Sequence, residues 1–261
     1  MSGGKIVCGG CGRPMSAAAG ARSRCMYSGG SPKEVHVMVV GPEVSDPAAP
    51  IAAKLDEMRR PAAQAMTPAE RERLFDAAKA KLIGHIDAGR HEEALVAFDE
   101  ALMLVRDPYL LLAKGQHLKA LRRPGPALEC LEEALAIDGS LTDAWFEKAD
   151  ILETLGHLPQ SLVTYDQVLQ QDPKRVNAWC DRGHVLGRMG QFAEALRSYE
   201  SALAIDAHSP HAWFNKATAE MALQRTAAAA DSFRRFLSVD LPPHFAPQVA
   251  HARAMLAKLG G

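Results

Sequence analysis

The chain has 261 residues, 48% of them hydrophobic and 23% charged, with a formal net charge of −1. That apolar content excludes a wholly disordered chain, and the near-zero charge gives no global attraction to nucleic acid or an anionic membrane. No apolar run approaches the roughly 20 residues that a bilayer span needs, and residues 1–12 carry no apolar stretch of a secretory signal, so a cytoplasmic location is expected.

Residues 1–40 differ from the rest. They hold Lys5, Arg13, Arg22, Arg24 and Lys33 against the single acid Glu34, and end in a β-rich run at 35–40. Cys8-Gly9-Gly10-Cys11-Gly12 is a CxxC-Gly knuckle, whose tight turns aim two thiolates at one metal. Cys25-Met26-Tyr27-Ser28-Gly29 has the shape of a second knuckle, with serine in its last place. The segment resembles a degenerate zinc ribbon, which implies a small β segment with Cys8, Cys11 and Cys25 as ligands to Zn²⁺. Three arrangements stay open: His36 as the fourth ligand, a three-thiolate site completed by water, or no metal, because a neutral hydroxyl is a poor Zn²⁺ ligand beside thiolates. The remaining cysteines, Cys130 and Cys180, sit alone in helical patterns and read as small apolar side chains. With Tyr27 the only aromatic among the five basic residues, the nucleic-acid footprint is weak.

Residues 41–66 are punctuated by Pro42, Pro47, Pro50 and Pro61 and read as a linker. Ile51, Leu55 and Met58 recur at i, i+4 and i+7, the spacing of a short amphipathic helix.

From residue 67 to 243 the chain repeats itself. Trp145, Trp179 and Trp213 are each 34 residues apart, and the same offset links Tyr165, Tyr199 and Phe233. Ala149, Gly183 and Ala217 hold a small-residue position four beyond each Trp. Each unit reads as two helices: residues 144–155 are apolar at helical spacing, Gly156 and Pro159 interrupt, and the pattern resumes until Asp172-Pro173. Upstream, Leu111 takes the Trp position and Gly115 the small one. Residues 75–107 fit with a one-residue slip, behind a capping box at Thr67-Pro68-Ala69-Glu70. Residues 244–261 read as one more amphipathic helix that closes the apolar end of the stack.

An aromatic, a Leu-Gly turn, an Ala on the second helix, a second aromatic, an Ala and a Pro within 34 residues resemble the tetratricopeptide repeat family. The resemblance implies an all-α, right-handed superhelical solenoid of about five helix hairpins, plus the C-terminal capping helix. It also implies a non-enzymatic scaffold whose first helices line a concave groove for a partner. Gln224 and Glu220 depart from the pattern in the last repeat, one at the turn glycine and the other at an apolar position. Helical phase places Leu112, Gln116, Phe146, Asp150, His184 and Phe214 in that groove, with Tyr109, Asp143, Glu147, Asn177, Asp181 and Asn215 beside them. An apolar floor with carboxylates implies a protein or peptide with a hydrophobic anchor beside Lys or Arg. Chaperone tails are disfavoured, because Leu112, Gln116, Phe146 and Asp150 stand where the family's carboxylate clamp needs Lys and Asn.

No catalytic signature is present: no P-loop, no GxSxG elbow, and His91-Glu92-Glu93 lacks the second histidine of a zinc-protease helix because Leu95 stands there. The competing function is a metal-dependent regulatory sensor, or a weak nucleic-acid binder, acting through the cysteine-rich segment.

Overall fold

The computed structural model describes residues 66–260, so Cys8, Cys11, Cys25, His36 and the linker helix expected around Ile51 lie outside the described residues. Within them the chain is all helix, arranged as five consecutive hairpins. These are α1 (Pro68–Asp87) with α2 (His91–Leu104), α3 (Pro108–Ala120) with α4 (Pro124–Ile137), and α5 (Thr142–Thr154) with α6 (Leu158–Gln171). The last two are α7 (Val176–Arg188) with α8 (Phe192–Ile205), and α9 (Pro210–Ala222) with α10 (Thr226–Ser238). A 3₁₀ turn at Pro243–Phe245 leads into α11 (Ala246–Lys258), which packs on α10. The closing helix thus starts at Ala246 rather than at His244. The two prolines at 242 and 243 favour the tight turn, which buries Phe245 against Phe236.

The first helix begins where its capping box dictates. Glu70 N–H donates to the Thr67 hydroxyl, while the Glu70 carboxylate accepts from Thr67 N–H at 3.0 Å. Each hairpin then turns through one residue in the left-handed region: Gly89, Arg122, Gly156, Gly190 and Gln224, with φ of 67°, 60°, 81°, 79° and 59°. After each, the next amide reaches back to a carbonyl five residues earlier, Gln191 to Leu186 and Arg225 to Glu220 at 2.9 Å among them. This is the Schellman closure of a helix C-terminus. Glycine takes that conformation without a Cβ clash, whereas Arg122 and Gln224 adopt it at a cost of about 1–2 kcal/mol each.

Inside each hairpin the small position faces the second-helix aromatic. Ala149 and Ala217 are fully buried beneath Tyr165 and Phe233, and the Cα of Gly183 lies under the Tyr199 ring. Between hairpins the tryptophans act identically. The indole N–H of Trp145 donates to Gly139 O at 3.0 Å, that of Trp179 to Pro173 O at 2.9 Å, and that of Trp213 to Ala207 O at 2.8 Å. Each indole therefore locks the loop that precedes its own helix, and its polar edge is satisfied while its ring packs. Three residues on, Lys148, Arg182 and Lys216 lie over those rings at 5.7, 5.9 and 5.9 Å. Lys148 and Arg182 also reach the preceding hairpin's neighbouring helices, at Glu132 (2.7 Å) and Asp166 (2.6 Å). A sequence period has become a mechanical one.

The departure at Glu220 is answered locally. Its carboxylate is buried, accepts from the Ser232 hydroxyl at 2.7 Å and is paired with Lys216.

Candidate functional site on the first helices

Successive first helices touch, so α3, α5, α7 and α9 form one continuous face. The side chains on its middle part are wired together across three hairpins. From α3, Gln116 donates to Glu147 at 3.0 Å, and Lys119 binds both Glu147 (2.6 Å) and Asp150 of α5. From α7, His184 Nδ1 lies 2.7 Å from Glu153 of α5, and Arg188 donates to the Glu153 carboxylate and carbonyl at 3.1 Å each. Arg175, just before α7, holds Asp143 at 2.6 Å and lies over Phe146 at 4.3 Å. Phe146 meets Tyr165 edge-on at 5.8 Å.

Cations from neighbouring helices pair most of the carboxylates in this cluster, which keeps an acidic excess. Burial alone would lower the Lys119 pKa, but its bonds to Asp150 and Glu147 hold it above the ordinary lysine range. Burial raises Glu153, and the bonds from His184 and Arg188 overcome that and keep it below the usual carboxylate value. His184 is raised in turn, chiefly by its bond to Glu153. Asp181 is different. Burial, with Glu153 and Asp150 nearby, pushes it up to about 7.

The residues expected from sequence divide into three sets. Gln116, Glu147, Asp150 and His184 come together in the network, with Asp143 and Phe146 at its edge under Arg175, while Asp181 feels the charges of Glu153 and Asp150. Tyr109 is 64% exposed in the first turn of α3, and Asn177 is exposed in α7. Leu112 turns into the α3–α4 core, and Phe214 is enclosed by Phe233, Phe236 and His251 at 5.3–6.0 Å, with Asn215 partly buried beside it. Cys130 and Cys180 are buried free thiols, and burial pushes Cys180 up to about 12, which leaves it protonated and unreactive. Sequence reasoning missed Lys119, Glu153, Arg175 and Arg188. Three of them carry a visible signal: Lys119 and Glu153 are three residues beyond Gln116 and Asp150, and Arg188 four beyond His184, the spacing of one helix face.

Among the described residues no group of His, Cys, Asp or Glu is arranged to hold a metal ion, and no helix is long and apolar enough to cross a membrane.

A stack of capped helical hairpins joined by a 34-residue indole ladder defines an α-helical repeat protein. Residues 180–244 match the family model described as tetratricopeptide repeat, and residues 72–208 match that described as bacterial transcriptional activator domain. The chain belongs to the tetratricopeptide repeat family and, over just more than half its length, to the bacterial transcriptional activator domain family. Solved structures agree. A tetratricopeptide repeat protein from Parabacteroides merdae superposes with a TM-score of 0.63 at 17% identity, covering 72% of each chain. The MamA protein gives 0.60 at 16% identity over 65% of this chain and 98% of that one. PilF of Pseudomonas aeruginosa gives 0.58 at 18% identity over 73% and 90%. At these identities the likeness speaks for the fold. No curated protein sequence matches the chain.

Proposed function

We propose that the chain is a non-catalytic scaffold that grips a protein or peptide along the face of α3, α5, α7 and α9. One observation carries the reading: side chains from three successive first helices form a single half-exposed polar strip, from Gln116 through Lys119, Glu147, Asp150 and Glu153 to His184 and Arg188. Such a strip costs side-chain entropy to hold in order, and it offers fixed donors and acceptors to an extended partner. The partner's apolar anchor would meet Phe146 at the edge of the Arg175 side chain, and its basic residues the carboxylates. A partner ending in an acidic tail fits poorly, because Glu147, Asp150, Glu153 and Asp181 line the same strip. The family description over residues 72–208 directs the search for that partner toward transcription proteins.

Capture by the full chain from a cell extract tests this. Asp150→Lys, on the strip, is expected to lose the partner, and Glu200→Lys, exposed on the second helix α8, to retain it. Equal capture by both variants would overturn the proposal.

The second reading, metal-dependent regulation through Cys8, Cys11 and Cys25, rests on the CxxC knuckle. It requires stoichiometric zinc in the purified protein that disappears in Cys11→Ser.

A further inference from the structure

One cation recurs on the first helix of every hairpin: Lys81, Lys114, Lys148, Arg182 and Lys216. In the middle of the stack it reaches back to a carboxylate on the second helix of the preceding hairpin. Lys114 pairs with Asp99, Lys148 with Glu132 at 2.7 Å, and Arg182 with Asp166 at 2.6 Å. Those three cationic side chains are 19–22% exposed, whereas Lys81 is 64% exposed and faces Glu100 of its own hairpin at 3.5 Å. An exposed pair of that kind contributes little stability. Leu74 and His85 share the helical stripe of Lys81. Their repeat equivalents Leu141 and Leu118 are buried, but Leu74 is exposed and His85 half-buried. This is the surface that a preceding hairpin would cover, and among the described residues no helix precedes α1.

The surface is a groove of about 410 Å³ between α1 and α2. Its α1 wall carries Lys81 and His85, and its α2 wall Glu93, Val96, Ala97 and Glu100. The His85 Nδ1 accepts from Arg90 at 3.1 Å, which leaves its Nε2–H as a donor. One wall therefore donates, and the other accepts through two carboxylates.

We infer that this groove is the interface between two copies of the chain, related by a two-fold axis running along it. Such an axis lays α1 of each copy over α2 of the other, so that the donating wall meets the accepting wall twice. Lys81 and Glu100 stand level across the groove. Rotation about the axis thus sets Lys81 of each protomer on Glu100 of its partner, and His85, nearer the hairpin turn, on the partner's Glu93. Leu74, Val96 and Ala97 supply apolar contact between the charged rungs. Lys81 then gains what the cations in the middle of the stack already have, a carboxylate on another hairpin's second helix. A helix of one charge sign fits worse, because it matches one wall and is repelled by the other. The groove lies in the first hairpin and the polar strip begins on α3, so the two surfaces serve different contacts.

Sedimentation velocity of the full chain over a concentration series tests this. The parent is expected to pass from monomer to dimer. Lys81→Glu and Glu100→Lys should each weaken the dimer by about tenfold or more, because both symmetry-related contacts become repulsive. An equimolar mixture of the two variants should restore the dimer, since the two changes compensate at both contacts of the mixed pair. An ion pair that acts only within one chain gives no such rescue, so a mixture no tighter than the single variants would overturn the inference. A parent that stays monomeric up to ~100 μM would overturn it too, the groove then being covered by another segment of the chain or by another protein. So would a dimer that neither variant weakens. Asp150→Lys, on the strip, should dimerise like the parent; loss of the dimer there would move the interface to the strip and sink the assignment of the groove.

Discussion

The Cα of Gly183 sits so close to the Tyr199 ring that an alanine Cβ there would stand 2.5 Å from Cε1. The same hairpin position is Ala149 under Tyr165 and Ala217 under Phe233, so the α7–α8 pair is closed more tightly than its neighbours. Ala at 183 must push a fully packed aromatic aside. Gly183→Ala is expected to destabilise by about 1–3 kcal/mol despite alanine's better helix propensity. Gly84, inside α1, gives the opposite sign, because a methyl group there would meet nothing within 4 Å. Gly84→Ala should stabilise by roughly 0.5–1 kcal/mol. Urea unfolding of both variants measures the contrast.

Gln224 holds φ at 59° in a turn where Gly156 and Gly190 hold 81° and 79°. Gln224→Gly should therefore raise stability by about 0.5–1 kcal/mol, the left-handed penalty of about 1–2 kcal/mol less the extra freedom glycine has when unfolded. Arg122→Gly should do less, since Arg122 shares the conformation (φ 60°) but its turn is followed by Pro124, which already stiffens it. Thermal melts of the two single variants decide it.

Lys216 is the cation on a buried carboxylate. Lys216→Met leaves Glu220 enclosed with only the Ser232 hydroxyl, and should cost about 3–5 kcal/mol. Replacing the whole unit, Lys216→Met with Glu220→Leu and Ser232→Ala, should return to within about 1–2 kcal/mol of the parent, because no buried polar group is then left alone. A single variant as stable as the parent in urea would refute the buried-pair account.

Asp181 makes stability depend on pH. Its pKa in the fold, about 7, lies above the ordinary value of 3.8, so between those values the folded chain holds a proton that the unfolded chain has released. Stability from this group is present at low pH and is lost as pH rises toward 7. His184, also raised in the fold, adds loss in the same sense above about 6.5. Asp181→Asn should gain on the parent by about 2–3 kcal/mol between pH 5 and pH 8, seen as a Tm difference that widens with pH. Identical Tm differences at the two pH values would contradict it.

How much of this was legible in the sequence depends on which contacts repeat. The Trp145, Trp179 and Trp213 column, the small position at Ala149, Gly183 and Ala217, and the Thr67 capping box each have a local cause, and the helices follow from them. The strip was only half legible. Glu147 and Asp150 lie on the face that helical phase assigns them, but phase along one helix says nothing of Lys119 reaching over from the previous hairpin. Phe214 shows the same blindness from the other side. Its phase equals that of Phe146, yet α11 brings His251 against it, and no position within α9 encodes that neighbour. Arg175 precedes its helix and so belongs to no helical face at all.

The indole ladder also decides what light can report. All three tryptophans lie in α5, α7 and α9, so intrinsic tryptophan fluorescence follows the last three hairpins and is silent about α1 to α4. Nearest-neighbour stacks can melt piecemeal. In this chain an early loss of the amino-terminal hairpins would appear in circular dichroism as a fading helical signal while the emission maximum stays where it was.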